Sequence, residues 1–493
     1  MAADGYPVAD QAAGKALGAA LRRAGYDEDA VFRLLGDDAY AGDAEDAPVH
    51  DRRLPQTRVA TLVRAFFVGL PVPEAELVRA LGERGAAALQ ATGLARIRRG
   101  TVVPRARISP IADLLIASDG WSRDEDDPPD YVATYTPTAR MLDSLTPRVR
   151  VGRALDVGTG NGIHALLAAR HSRSVVATDV NRRALAYAEL NAALNGIDNL
   201  ECRRGSLFEP VEGERFDLIT CNAPYVVSPE SRWTYRDSGF DADEVSARVV
   251  SGAAEHLADD GFATMLVSWV AREAAEPNGR VLAWAHETGC DAWIMSLYGS
   301  DPLDHAASWN SHLTGDPKSF GAALDEWNAY LEGLSIGWVS EGAVVLHRRQ
   351  GGRATTRIDV VEDEELEVAS AQLRRAFAAR ARLAELGRAS DLLDLRLAPV
   401  DAVRVEQELV PRAGGAVVEA VHVRLDEGTH PSVDASARAA EVVGALGGEA
   451  ILRETIGAVA RRLELTDSQA GRLRREALEL CSELLELGAL RIV

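Results

Sequence analysis

The chain has 493 residues, 47% of them hydrophobic, and a formal net charge of −21 at pH 7. That is material for about three packed domains, and the acidic balance argues against wholesale wrapping by nucleic acid, whose phosphates an acidic surface repels. No run of about 18 apolar residues is present, so no membrane span is expected. The opening "MAADGYPVADQAAGKALGAAL" lacks a basic region before an apolar block, so no secretion signal is expected either.

Residues 9 to 82 carry apolar side chains at three- and four-residue spacing, as in "ADQAAGKALGAALRRAGYDEDAVFRLLG", which predicts helices. "GLARIRRGTVVPRARI" then reads as a β-hairpin turning near Arg99 and Gly100, giving a mostly helical, winged-helix-like domain over residues 1–122. Alternation puts Arg96 and Arg98 on one face of the first strand, and Arg105 and Arg107 on one face of the second. Those arginines are either a solvated surface or a contact for nucleic acid or an acidic partner. "RDEDDPPD", within residues 123–130, marks an acidic linker.

From about Tyr131 to Arg349, short β-rich runs ("RALDVG", "SVVATDV", "FDLITCN", "FATMLVSWV", "DAWIMSLYG", "AVVLHRR") alternate with helical stretches. That is the pattern of an α/β domain with a mainly parallel sheet covered on both faces, here over residues 131–350. A glycine pair and an acidic run near residue 351 open a C-terminal α+β domain, residues 351–493. It ends in a helix with a Thr466/Gln469 capping box, a glycine stop at Gly488 and a final short strand. Cys202, Cys221, Cys290 and Cys481 are scattered without a CxxC, which fits reduced thiols in the cytoplasm rather than disulfides or a zinc site.

"RALDVGTGNGIHALLAAR" is the strongest local signal. A strand runs into Gly158, Gly160 and Gly162 and a helix follows at once, so a ligand can lie against bare backbone beside a helix N-terminus. Ile163 stands where a dinucleotide-binding glycine motif needs its last glycine, which tilts the reading away from NAD. A second strand ends at Asp179, where a carboxylate can accept hydrogen bonds from ribose hydroxyls. Ser206 and Leu207, in the loop after the third strand, are placed to approach an adenine.

"LDVGTGNGIHAL", "ATDVN", "GSLFEP" and "DLITCNAPYV", in this order, resemble the class I S-adenosylmethionine-dependent methyltransferases. The branch they are most similar to carries an Asn-Pro-Pro-Tyr-type motif and includes release-factor glutamine N-methyltransferases and amino-methyltransferases of ribosomal RNA and DNA. "YTPTARMLDSL" resembles the proline-bearing segment that precedes the first strand in the glutamine-modifying members. The resemblance implies a Rossmann-like domain with a seven-stranded sheet. It also implies S-adenosyl-L-methionine as cofactor, held by Tyr135, Pro137, Asp156, Gly158, Thr159, Gly160, Gly162, Asp179, Val180, Asn181, Ser206, Leu207 and Asn222. This chain has Ala223 where the family motif usually has proline, and Ser206 where many members have aspartate.

The tetrapeptide Asn222, Ala223, Pro224, Tyr225 has a chemical reading of its own. Methylating a planar NH2 group is difficult because its lone pair is delocalised. Two hydrogen-bond acceptors on the N–H protons position the nitrogen and favour pyramidal geometry, in line with the S–CH3 bond. The Asn222 side-chain oxygen and the carbonyl of Ala223, held extended by Pro224, are the expected acceptors, with Tyr225 against the flat substrate group. The positive charge that develops on nitrogen suits such placed dipoles.

"SRWTYRDSGF", residues 231–240, is the expected lid or selecting loop. Asp301, Asp304 and His305, beside Trp309, have too few ligands of known geometry for a metal site and are expected in a loop near the substrate mouth. The sequence therefore points to an N-methyltransferase acting on a planar amide or amine of a macromolecule, leaning to a protein glutamine side chain. An RNA or DNA base amine is the alternative acceptor. A nucleic-acid-binding protein with a degenerate cofactor fold is the alternative of another class.

Overall fold

A computed structural model describes residues 7–40, 44–121, 127–222, 224–230, 240–362, 366–412 and 415–493. Its centre is one mixed sheet whose strands, numbered in chain order, are β1 (Val151–Val157), β2 (Ser172–Asp179), β3 (Leu200–Arg204), β4 (Phe216–Cys221), β5 (Leu257–Ala271), β6 (Asp291–Ser300), β7 (Trp338–His347) and β8 (Thr356–Val360). The order across the sheet is β8-β6-β7-β5-β4-β1-β2-β3. Only β7 runs antiparallel to its neighbours, β5 and β6. The expected seven strands are thus eight, because β8 adds itself in parallel to β6 beyond the boundary expected near residue 351.

The inner strands are apolar on both faces, as a sheet covered on both sides requires. Leu155, Val157, Ile219, Cys221, Met265 and Ile294 point one way, towards helices Glu244–His256 and Gly279–Glu287. Their neighbours Ala154, Leu218, Leu266, Trp293 and Met295 point the other way. On that second face Leu373, Ala376 and Phe377 of helix Ser370–Glu385 complete the cover, so residues 356–385 are part of the sheet's packing. Arg380 seals the junction: it lies over the Trp293 ring at 4.4 Å and donates to the carbonyls of Ala292 and Glu486, both at 3.2 Å.

β1 sits between β2 and β4, so the chain order reverses there, and a crevice opens at the carboxyl ends of those strands.

The N-terminal region folds as helices with two hairpins. Ala95–Arg98 pairs with Thr101–Pro104 through Arg99 and Gly100, both at positive φ, as expected for a tight hairpin turn. Arg107 does not continue that hairpin. It opens a second one, Arg107–Ile111 with Leu114–Ser118, and is buried with its guanidinium over Trp121 at 3.6 Å and Phe67 at 4.1 Å. The four arginines therefore form no common face: Arg96 and Arg98 are exposed, Arg105 is half-buried and Arg107 is in the core.

This region is fastened to helix Arg182–Asn195, which follows β2. Asn191 and Asn195 turn their carboxamides onto the second hairpin as if they were another strand. Asn191 accepts from Ala117 N at 2.7 Å and donates to Ala117 O at 2.8 Å; Asn195 does the same with Leu115 at 2.9 and 2.8 Å. Helix Gln11–Arg23 crosses the same helix so closely that a Cβ on Gly18 would overlap the Leu194 carbonyl, to which Arg22 donates at 2.9 Å.

In the C-terminal region, helices Ala437–Gly444, Leu452–Arg462 and Asp467–Glu486 pack around the base of a long hairpin, Val403–Arg412 with Gly415–Leu425. The Thr466/Gln469 capping box forms, Gly488 takes φ 75°, and the last strand, Leu490–Ile492, pairs with Leu397–Pro399. All four cysteines are free, and among the described residues no helix is long and apolar enough to cross a membrane.

Because the helix crossing at Gly18 leaves no room for a methyl, Gly18→Ala should cost about 1–3 kcal/mol of stability through overpacking. Urea denaturation checks this; an unchanged midpoint would show that the two helices do not meet as described.

Candidate active site

The crevice beside β1 is built on one buried carboxylate. Asp156, 1% exposed, accepts from the Thr159 hydroxyl at 2.6 Å, from the Ala165 amide at 3.2 Å and from the Thr220 hydroxyl at 2.7 Å. It thereby joins the loop after β1, the helix after that loop, and β4 two residues before Asn222. Burial raises its pKa to about 6 against those three donors.

The glycine loop has the backbone its residues require. Gly158, Gly160 and Gly162 take φ of 66°, 54° and 87°, a region that residues with a Cβ rarely enter. A Cβ at Gly162 would stand 2.9 Å from the Ala188 Cα, so this third glycine serves helix packing. At Gly160 the space a Cβ would take is open. Its amide donates to Asp179 at 2.9 Å, and the other Asp179 oxygen accepts from Asn181 N at 2.8 Å. Burial raises the Asp179 carboxyl above its ordinary value. Asn181 caps the next helix and donates to the Asp130 carbonyl at 3.0 Å. Leu207, at φ 46°, receives the Thr178 hydroxyl on its carbonyl at 3.1 Å, which fixes the third loop.

Together these loops enclose a cavity of about 560 Å3. Of the residues expected to hold a cofactor, Pro137, Gly158, Thr159, Gly160, Asp179, Val180, Asn181, Ser206, Leu207 and Asn222 line it. Asp156 and Gly162 stand behind the wall, shaping the loop, and Tyr135 packs with the cluster around Ile111 and Ile163 instead. Pro224 and Tyr225 line the same cavity. Ala223 lies outside the described residues, as do 231–239 of the expected lid.

The segment after Asn222 is held from three sides. The Ser268 hydroxyl on β5 donates to the Tyr225 carbonyl. His305 Nε2 lies 3.0 Å from the Val227 carbonyl. Trp327 packs against Val226 and donates to Glu230 at 3.2 Å. His305 and Trp327 belong to two helices, Pro302–Trp309 and Pro317–Gly333, inserted between β6 and β7. Asp301 caps the first of them, accepting from Leu303 N and Asp304 N. No group of three potential metal ligands occurs among the described residues.

Trp309, from the same insert, lines the cavity with its indole N–H on Glu341 at 3.1 Å. Phe240, the last residue of the expected selecting loop, lines it too, as do Asn161 and His164, which were not expected from the sequence. The asparagine inside the glycine motif was the available signal for Asn161. Its side chain donates to the Ala133 carbonyl at 2.9 Å.

Residues 136–271 match the family described as Methyltransferase small domain, and residues 23–105 match a domain of unknown function, DUF7059. The chain is 33% identical over 173 residues to the ribosomal protein uL3 glutamine methyltransferase of Bradyrhizobium diazoefficiens, covering 32% of this chain and 48% of that protein. It is 30% identical over 183 residues to the release factor glutamine methyltransferase of Xylella fastidiosa, covering 34% of this chain and 66% of that protein. The chain thus spans about half to two thirds of the length of these curated relatives. Among solved structures, a methyltransferase from Thiobacillus denitrificans in complex with S-adenosyl-L-homocysteine aligns over 44% of this chain and 92% of its own, with 16% identity and a TM-score of 0.27.

The buried carboxylate makes a pH prediction. With a folded pKa of about 6 against an ordinary 3.8, the folded protein holds a proton here that the unfolded chain releases. Its contribution to stability is greatest below about pH 4 and declines as pH rises through 6, by on the order of 3 kcal/mol. The stability of wild type relative to Asp156→Asn should fall by that amount between pH 4 and 7 in denaturant titrations; a difference independent of pH would contradict the assignment.

Proposed function

Given that residues 136–271 form a methyltransferase small domain of the class I S-adenosylmethionine-dependent type, we propose that the protein methylates the side-chain amide nitrogen of a glutamine in a protein substrate. The observation that carries the reading is that the glycine loop, Asp179 and Asn222 line a single cavity. A cofactor-holding half and a nitrogen-positioning half thus share one space.

The residues present fit the cofactor. The open face of Gly160 leaves room for a ligand against backbone, and Asp179 is a carboxylate acceptor at a strand tip for ribose hydroxyls. Ser206 and Leu207 lie at the adenine end, with Val180 beside them. When bound, S-adenosylmethionine supplies an electrophilic methyl on sulfur. The protein's part is to hold an amide nitrogen in line with it. The Asn222 oxygen accepts one N–H, and the Tyr225 ring bounds the flat acceptor. Charge developing on nitrogen meets an acceptor dipole already in place, with no reorganisation needed.

A protein acceptor is favoured over a nucleic-acid base by two observations. The curated relatives are named for glutamine in a ribosomal protein and in a release factor. The arginines that a nucleic-acid contact would use are dispersed, with Arg107 buried. The reading places the enzyme in the cytoplasm among translation proteins.

The test is methylation with tritiated S-adenosylmethionine of purified release factors, ribosomes and tRNA, followed by mass spectrometry of the labelled species. Label on a glutamine amide is expected; label in RNA alone would overturn the proposal. Two variants separate the halves of the site. Asp179→Ala should weaken cofactor binding by about tenfold or more, since it removes charged hydrogen-bond acceptors. Asn222→Ala should leave calorimetric cofactor affinity within about threefold and lower turnover by roughly 100-fold or more.

A further inference from the structure

A carboxylate on an apolar inner strand needs a reason to be there. Glu341 stands on β7, between β5 and β6, on a strand whose Val339, Ala343, Val344, Val345 and Leu346 are all buried. Its side chain is 20% exposed, and burial raises its pKa. Placing an acid at such a position costs stability unless its oxygens are matched. The match here is to a residue of the cavity wall.

The sheet register shows how. Ser268 on β5 lies directly opposite Glu341 on β7. Opposed residues of antiparallel strands share a face, with Cβ atoms about 5 Å apart. The Ser268 hydroxyl donates to the Tyr225 carbonyl. Glu341 Oε1 accepts from the Trp309 indole N–H at 3.1 Å. Two neighbouring polar side chains therefore hold two aromatic residues, and both of these line the cavity.

The same observations place Trp309 at the Asn222 end. Its ring packs against the cluster of Val226, Ala306 and Trp327, and Val226 is the residue after Tyr225. Burial, and after it the Glu341 charge, raises the pKa of the Tyr225 hydroxyl, so carboxyl and phenol share one electrostatic environment. Trp309 is the last residue of helix Pro302–Trp309. A side chain there has several staggered rotamers open to it, and the hydrogen bond to Glu341 selects one.

Resting on the function proposed above, we propose that Glu341 is a positioning residue for the methyl acceptor: it fixes the Trp309 indole as a wall of the Asn222 end and so sets how the flat acceptor amide is seated there. Seating matters because methyl transfer depends on the alignment of the reacting atoms. Glu341 acts through Trp309 and leaves the cofactor alone. The cofactor's end of the cavity is fixed by Gly160, Asn181 and Thr178 instead.

The test is a double-mutant cycle on methylation of purified release factor, with calorimetry of S-adenosylhomocysteine alongside. Glu341→Leu should lower kcat/KM for the release factor fivefold or more and leave S-adenosylhomocysteine affinity within threefold. Glu341→Gln, whose side-chain oxygen still accepts an indole N–H, should stay within threefold of wild type in both. Trp309→Phe keeps a ring and lacks the N–H, so it should show the Glu341→Leu loss, and adding Glu341→Leu to it should cost less than a further threefold. Wild-type kcat/KM in Glu341→Leu, equal losses in Glu341→Leu and Glu341→Gln, an additive loss in the double variant, or a parallel loss of S-adenosylhomocysteine affinity each overturns the proposal. A lowered urea midpoint in Glu341→Leu with kcat/KM unchanged would show a purely structural role and overturn it too. Should Trp309→Phe not fold, the contrast between Glu341→Leu and Glu341→Gln decides alone. If wild type binds no S-adenosylhomocysteine or leaves the release factor unlabelled, the proposed function fails and this inference with it. If wild type labels the release factor and only the Glu341 effects are missing, this inference alone fails.

Discussion

The arrangement turns on the Asp156 carboxylate. Three donors from three segments meet on it: Thr159 from the glycine loop, Ala165 from the following helix and Thr220 from β4. A carboxylate at this depth is tolerated because its oxygens are matched, and its remaining cost appears as a raised pKa. What that cost secures is registration. The loop that would hold the cofactor and the strand that presents Asn222 share one anchor, so neither can shift without disturbing the other. Methyl transfer needs its reacting atoms placed to a fraction of an ångström, and a shared buried anchor is a physical means of achieving that.

The flanking regions extend this anchoring outward. Asn191 pairs with the N-terminal hairpin at Ala117 and also donates to the Asn161 carbonyl of the glycine loop at 2.8 Å. Asp119, at the end of that hairpin, accepts from Arg183, Tyr187 and the Val132 amide, and Val132 lines the cavity. The N-terminal region therefore positions one cavity wall. The helices inserted between β6 and β7 bring Trp309 to the cavity and hold the segment after Asn222 through His305 and Trp327. On the far edge, Arg357 in β8 reaches Glu483 and Glu486 of the last long helix, which ties the C-terminal region to the sheet.

How much of this was legible in the sequence depends on the range of the interactions. The glycine turn and the strand tip at Asp179 were readable because each is a local conformational demand written in consecutive residues. The same holds for the hairpin at Arg99–Gly100 and the Thr466/Gln469 cap. Arg107 was misplaced because alternation was carried through a point where the chain leaves one hairpin and starts another; its burial depends on Phe67 and Trp121, which local pattern does not connect to it. The eighth strand was missed because "TRIDV" follows a glycine-rich stretch that looks like a boundary, and only its pairing with β6 shows otherwise. Asp156 and Gly162 were read as ligand contacts, while their partners are Thr220 and Ala188, each distant in sequence. The contribution of Trp309 depends on Glu341, across an insert whose path the sequence leaves open.

A crystal structure with S-adenosylhomocysteine bound tests the central claim most directly, namely that the loop anchored by Asp156 and the Asn222 tip serve one reaction. The account requires the ribose hydroxyls on Asp179 and the sulfur turned towards the Asn222 side chain, with the line from sulfur to Asn222 unobstructed. A ligand lying in the cavity with its sulfur turned away from Asn222, or a ribose held elsewhere than at Asp179, would contradict it.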